Sequence, residues 1–379
     1  MPHTTDKNID APIVFVWENF GPGHADRCDA AGIHFQGRRR VIGIEVFSKS
    51  QTYDWIPESG QHFEKITLFS NSRADNTPVV SRYLKTIRAC VKYLGGDFLL
   101  CHYENPATLA TALTLRLLGQ RVFVMNDSKF DDYPRSLFRE ILKYFFYLPY
   151  MGGLSSGQRA KDYLRFLGVP VEKVKTHYNS LNIERIRRLG SAPQKSTSFH
   201  DKPFVVVARL VEKKNLFVVL FAFSVYRKTG GFRNLQIIGS GPLEKALQEH
   251  AANLGVNNHV EWSGFLQTNQ VCSAVGDALA LILISKEEQF GNVVIEALAL
   301  GVPCIVSPQV GARDYLVRSF INGFIVEDDN ATGLARLMHY IGSNEAQWKI
   351  LSENCAEFAE VGHTTQFANA VDALTSKQP

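Results

Sequence analysis

The chain has 379 residues, more than one ordinary domain holds and comfortable for two, and 45% of them are hydrophobic and 21% charged, the profile of a globular protein with sizeable cores. A formal charge of +4 and a pI near 8.6 suit an anionic ligand or an anionic membrane surface, or reflect only a few extra surface cations. They fall far short of a nucleic-acid footprint. Six cysteines (Cys28, Cys90, Cys101, Cys272, Cys304, Cys355) are scattered without CxxC spacing or histidines at ligand distance, so they read as small core residues in a reducing compartment. The polar start MPHTTDKNID has no signal core, and the run ALALILI before Ser285 is too short to cross a bilayer. The expectation is a cytoplasmic protein, at most resting on the inner face of the membrane.

In chain order, IVFVW (Ile13 to Trp17) is a predicted strand that ends in the loop ENFGPGHADR. VIGIEVF from Val41, DFLLCHYEN from Asp97, RVFVMND from Arg121 and VKTHYN from Val174 continue the series. The helical stretches SRYLKTIRACVKYLGG and PATLATALTLRLLGQ lie between them, each closed by glycine. Arg38-Arg39-Arg40 reads as a solvated turn. The segment RSLFREILKYFFYLPY reads as a helix running into a buried strand. Its mixture of Arg135, Arg139 and Lys143 with Phe145, Phe146 and Tyr147 leaves a helix lying on an anionic membrane, or receiving a lipid-linked acceptor, as the alternative. A polar stretch from Arg187, RRLGSAPQKSTSFHDK, reads as an interdomain linker. The alternation then restarts with PFVVVARL, NLQIIGSGP, HVEWSGF, ALALILIS and PCIVSPQ. The pattern predicts an α/β protein of two Rossmann-like doubly wound domains facing across a cleft, at residues 11–186 and 198–361. Ligands of such sheets sit beyond the carboxyl ends of the strands.

The strongest chemical signal is KEEQFGNVVIEALALGVP, Lys286 to Pro303. Glu288 is placed at the end of a strand region and Phe290-Gly291 in a turn, with a helix from about Asn292 to Leu300. The N–H groups of Asn292, Val293 and Val294 would then form a phosphate-binding helix start. Glu296 falls one turn into that helix among apolar neighbours, where a carboxylate is costly unless paired; the two hydroxyls of a ribose would suit it. In VVVARLVEKKN, Arg209 stands where a strand stops and Lys214 follows five residues later, a pair able to clamp a pyrophosphate and neutralise charge developing on it. Gly239 and Gly241 in IIGSGP would let the backbone approach a nucleotide, or make a plain tight turn. Phe265 and Leu266 in WSGFLQ stand at another strand end, either beside a base or packed in the core.

Together these motifs resemble the retaining glycosyltransferase family four, of the GT-B fold. The resemblance covers nearly the whole chain and is strongest between Phe204 and Leu316. The family's two glutamates separated by seven residues stand here as Glu288 and Glu296, its arginine and lysine as Arg209 and Lys214, and its glycine turn as GSGP. The resemblance implies that Glu288 contacts the hydroxyls of the donor sugar, Glu296 the ribose, and Arg209 with Lys214 the diphosphate. Gly21 and Gly23 occupy the position of the family's glycine-rich loop near the donor phosphate. His102 falls where the family carries a histidine touching the transferred sugar, although a structural histidine fits that strand end equally well. Asn179-Ser180-Leu181-Asn182 departs from the family's asparagine-glycine-hydrophobic-aspartate turn. A C-terminal helix at about 362–379 is expected to pack back on the first domain.

The resemblance further implies transfer with retention, the departing phosphate helping to deprotonate the acceptor. No DxD motif stands on a strand end, and Asp131-Asp132 and Asp328-Asp329 lie in polar loops, so no metal and no other cofactor is expected, the cations and the helix start replacing it. The partners expected are a nucleoside-diphosphate sugar, with UDP-glucose ahead of UDP-N-acetylglucosamine and GDP-mannose, and a glycan or lipid-linked acceptor of polysaccharide biosynthesis; nucleic acid is not among them. Tyr53 and Trp55 are candidates to stack on an acceptor sugar. The alternatives are a catalytically silent nucleotide-sugar-binding subunit, or epimerisation or phosphorolysis on the same fold. A dehydrogenase is rejected, because ENFGPGHADR lacks the full GxGxxG and Glu45 lies within its strand rather than closing it.

Overall fold

The computed structural model describes residues 10–49, 60–70, 77–101, 104–190 and 198–376. They form two compact units, divided at residues 130/131, 133/134, 180/181 and 363/364, with 131–133 and the described residues of 181–363 in the second and the other described residues in the first. The chain passes into the second unit between Ser180 and Leu181, ahead of the stretch read as a linker. Arg187 to Gly190 belong to a helix whose Ile183 and Ile186 are buried in the second core.

The first unit is built on a seven-stranded sheet, every pairing of which is parallel. Its strands are β1 (Asp10–Trp17), β2 (Arg39–Phe47), β3 (Glu64–Phe69), β4 (Asp97–Leu100), β5 (Arg121–Asn126), β6 (Gly153–Ser155) and β7 (Val174–Lys175), in the order β3-β2-β1-β4-β5-β6-β7. Helices α1 (Pro22–His34), α2 (Val79–Val91), α3 (Pro106–Leu117), α4 (Leu137–Tyr147) and α5 (Gln158–Phe166) connect them. Continuous apolar runs such as Ile13–Trp17 and Phe98–Leu100 are buried, as parallel strands covered on both faces require. The last helix of the chain, named α13 below, packs on α1, and its Phe367 and Val371 enter the same core as Phe15 and Trp17.

The second unit opens with α6 (Ile183–Gly190) and holds a six-stranded parallel sheet in the order β10-β9-β8-β11-β12-β13. Its strands are β8 (Phe204–Val207), β9 (Leu235–Ile238), β10 (Val260–Gly264), β11 (Ala280–Leu283), β12 (Cys304–Val306) and β13 (Gly323–Ile325). Helices α7 (Leu216–Lys228), α8 (Glu244–Asn253), α9 (Thr268–Gly276), α10 (Val293–Ala299), α11 (Ala331–Ser343) and α12 (Glu345–Val361) cover it, and α13 is Thr364–Thr375. In each sheet the strand order reverses once, between β1 and β4 and between β8 and β11. The crevice beyond the carboxyl ends at such a point is the ligand position of an open α/β sheet.

Two expectations change. Arg39 begins β2 rather than lying in a solvated turn, and its guanidinium meets buried Asp97 at 2.5 Å, with Arg121 on the other carboxylate oxygen at 3.1 Å. RSLFREILKYFFYLPY forms α4 and leads through a turn into buried β6, as expected, but Leu137, Phe138, Ile141 and Phe145 stay exposed. Only one side of that helix is held, because Glu140 is buried against the Arg135 and Lys143 cations and the Tyr163 hydroxyl, leaving the apolar side turned out.

Candidate functional site

The switch point of the second sheet collects most of the predicted residues. Arg209 follows β8 by two residues, and β8 pairs with β11 through Phe204↔Ala280 and Val205↔Leu281, so the segments leaving these two strands run side by side. The turn Glu212–Lys214 ends at Asn215, which adopts a left-handed φ of 60°, a conformation asparagine tolerates better than most side chains. The Asn215 amide donates to the Asp328 carbonyl at 2.7 Å and fixes the turn. Backbone bonds then stitch it to the segment after β11, since Lys286 N–H donates to the Lys213 carbonyl at 2.8 Å and Glu287 N–H reaches it at 3.4 Å.

These bonds bring Lys214 and Glu288 together. The Lys214 ammonium donates to the Glu288 carboxylate, with the two side chains only 13% and 15% exposed. Glu288 is not at a strand end as predicted. It lies five residues beyond β11 in an isolated bridge with Val310, because the chain needs that length to reach the Lys214 turn. A half-buried cation and anion in contact form a polar patch that offers both a donor and an acceptor, suited to a ligand carrying phosphate and hydroxyls.

Glycines set the neighbouring turn. A Cβ on Gly239, whose φ is +135°, would stand 1.9 Å from the Ala208 carbonyl oxygen, and one on Gly241 would stand 2.5 Å from that of Leu210. Both residues are therefore required for GSGP to lie against the Arg209 segment, where Leu210 N–H donates to the Ser240 carbonyl at 2.9 Å. Beyond β10, Leu266 packs on the second-unit core while Phe265 is largely exposed.

The expected phosphate-binding helix start is smaller than predicted. Val294 N–H donates to the Gly291 carbonyl at 3.0 Å, which leaves Asn292 and Val293 N–H without an acceptor among the described residues. Phe290 does not face a ligand. Its ring is buried beside Tyr315 and its carbonyl accepts from Ala312 N–H at 2.8 Å, so it anchors the loop that Gly291, at φ +95°, turns. Glu296 stands one turn into α10, half-buried, with Ile295, Ala297 and Leu298 sealed in the core around it.

In the first unit, the Gly21–Gly23 loop is held from three sides. Phe20 N–H donates to buried Glu45 at 2.8 Å, Gly21 N–H donates to His24 Nδ1 at 3.0 Å, and Arg27 Nε donates to the Gly23 carbonyl at 2.8 Å. Glu45 also accepts from Thr67 and meets Lys65 at 3.3 Å; it braces the loop. His102, Tyr53 and Trp55 lie outside the described residues. Sequence reasoning overlooked Arg82, Glu18 and Asn105, which share a pocket in this unit.

Comparison with known proteins bears on the activity and the fold. Residues 191–361 match the family described as glycosyl transferases group 1. The chain is a glycosyltransferase. A Salmonella typhimurium lipopolysaccharide 1,6-galactosyltransferase is 24% identical over 361 residues, covering 90% of this chain and 93% of its own length. Among solved structures, Anabaena HepE in complex with UDP-glucose superposes with a TM-score of 0.72 at 16% identity, covering 97% of this chain and 100% of that one. A glycosyltransferase from Rickettsia africae gives 0.73 at 17% identity, with the same coverage of both chains. At these identities the structural likeness establishes the GT-B fold of the transferase and leaves its substrates to the site. No helix among the described residues is long and apolar enough to cross a membrane.

Proposed function

We propose that this glycosyltransferase binds a nucleoside-diphosphate sugar at the carboxyl ends of β8, β9 and β11 and transfers its hexose with retention, without a metal, to a glycan or lipid-linked glycan in polysaccharide biosynthesis. The observation that carries the reading is the Lys214–Glu288 pair at the switch point. Donor binding would part the two, Lys214 turning to the diphosphate and Glu288 to the hydroxyls of the sugar, while Arg209 offers a second cation from the same strand end. Glu296 is assigned to the ribose. Asn292 and Val293 N–H supply two more donors. With these in place, the charge developing on the leaving diphosphate meets fixed cations rather than water. The names of the relatives support a hexose donor. UDP-glucose is the first choice, and UDP-galactose joins the candidates through the Salmonella enzyme.

The test is nucleotide release in EDTA by wild-type and Lys214→Ala protein. Wild type is expected to turn over donor in chelator and the variant to be slower by more than about tenfold. A strict requirement for manganese, or an unimpaired variant, overturns the assignment.

We also propose that α4 rests on an anionic membrane surface. Leu137, Phe138, Ile141, Leu142, Phe145 and Leu148 form one exposed side of this helix. Between Arg135 and Phe166, six lysines and arginines stand against two carboxylates, Glu140 and Asp162; this excess of four equals the formal charge of the whole chain. Apolar side chains beside concentrated positive charge match the acyl boundary and headgroups of such a surface.

A further inference from the structure

The loop that leaves β1 runs straight into α1, and one histidine closes it. Gly21 is the residue before the helix, Pro22 its first residue and His24 its third. The N–H of the residue before a helix can find its acceptor in the side chain of the third helical residue, a place usually held by glutamate or glutamine. Here His24 holds it. Gly21 N–H donates to His24 Nδ1 at 3.0 Å, and His24 N–H returns to the Gly21 carbonyl at 3.0 Å.

A ring in that place behaves differently from a glutamine. A backbone N–H can only donate, so Nδ1 is the unprotonated nitrogen and the ring proton sits on Nε2. A second proton turns Nδ1 into a donor facing a donor and sets a cation at the positive end of α1. Both effects open the closure, and a free imidazole gains that proton at about pH 6.5. The Trp17 and Phe20 rings flank His24 at 5.0 and 5.9 Å, with Arg27 over the first at 5.8 Å and Lys65 over the second at 5.1 Å. Arg27 is engaged by the Gly23 and Tyr178 carbonyls, and Lys65 by Glu45. The remaining titratable groups around the loop are Asp26 on α1, Glu18 after β1 and Tyr178 after β7, whose hydroxyl burial pushes well above its ordinary value.

We propose that His24 is a positioning residue whose neutral ring holds the Gly21–Gly23 loop closed on α1, and that its protonation frees the loop and slows transfer as the solution is acidified. The closure is present while the ring is neutral and is lost as pH falls through the ring's titration in the folded protein. The loop bears on transfer because β1 lies where the strand order of the first sheet reverses, the crevice position of an open α/β sheet. That consequence rests on the proposed function; the proton dependence of the loop does not.

The experiment compares wild type, His24→Gln and His24→Ala as full chains at about pH 8 and about pH 5.5, on either side of the imidazole range. Hydrogen exchange at the Gly21 amide, corrected for the pH dependence of intrinsic exchange, reports on the loop. UDP release from UDP-glucose and UDP-galactose reports on turnover. Between the alkaline and the acid sample wild type is expected to lose about tenfold of its Gly21 protection, the worth of one hydrogen bond, and its UDP release is expected to fall with it. His24→Gln accepts the same N–H and does not titrate; it is expected to stay protected in both samples and to lack that acid fall. His24→Ala is expected to be unprotected and slow in both. An acid fall that belongs to Glu18, Asp26, Glu45 or any other group survives in His24→Gln, so a merely structural histidine leaves the profile of that variant unchanged. Lys214→Ala, measured in the alkaline sample, reports on the donor reading alone. Three results overturn the proposal: wild-type Gly21 is equally protected in both samples, His24→Gln keeps the acid fall, or His24→Ala releases UDP with the wild-type profile.

Discussion

Glu296 illustrates how a single residue can be read before its surroundings are known. Its position among Val294, Ile295, Ala297 and Leu298 marks it in the sequence as a carboxylate in apolar company, and those neighbours are buried in the structure. A helix exposing one glutamate through such a wall holds its charge at a fixed height above the core, which suits a pair of vicinal hydroxyls. Glu296→Ala is expected to weaken UDP binding by about tenfold to a hundredfold, the worth of a charge-assisted hydrogen bond or two. Unchanged affinity in calorimetry would remove the ribose assignment. Phe290 shows the opposite case. It stands within the same motif, yet its ring serves packing, because a turn as tight as the one at Gly291 must be anchored on one side.

At the scale of elements, α4 is held from below by charge and left apolar above. Burial works to raise the Glu140 carboxyl, but the Tyr163 hydroxyl, Lys143 and Arg135 outweigh it and hold it below its ordinary range. A depressed carboxylate contributes stability that is fully present above its unfolded value near 4.3 and is lost as pH falls through the lower folded value. Acid unfolding should therefore begin below about pH 5, and Glu140→Gln should flatten that limb while lowering stability near neutrality; an unchanged acid limb would contradict the anchoring role. The outer side has its own test. Wild type is expected to sediment with vesicles containing phosphatidylglycerol and not with phosphatidylcholine alone, and Phe138→Glu with Phe145→Glu to abolish it. Equal binding to both lipids, or a double variant that still binds, would point instead to another occupant, such as a second copy of the chain.

Over the whole molecule, the parallel sheets were legible wherever a strand is buried on both faces, because β1, β4, β8 and β11 are then continuous apolar runs. β3 escaped notice as a half-exposed edge strand, and β6 and β13 because three residues that include glycine carry no periodic signal. Arg209, Lys214 and Glu288, the residues proposed for the donor, were legible for a related reason, since charged groups beside strands stand out against apolar sequence. Arg82 and Glu18 were not, because only the packing of α2 and the register of β1 bring them to one pocket. The central claim remains that the second unit holds a nucleotide sugar without a metal. Calorimetry of the chain with UDP-glucose, UDP-galactose, UDP-N-acetylglucosamine and GDP-mannose in EDTA tests it most directly. The account predicts that one UDP-hexose binds in chelator and that Lys214→Ala weakens it; absence of binding to all four, or binding only after a divalent metal is restored, would contradict it.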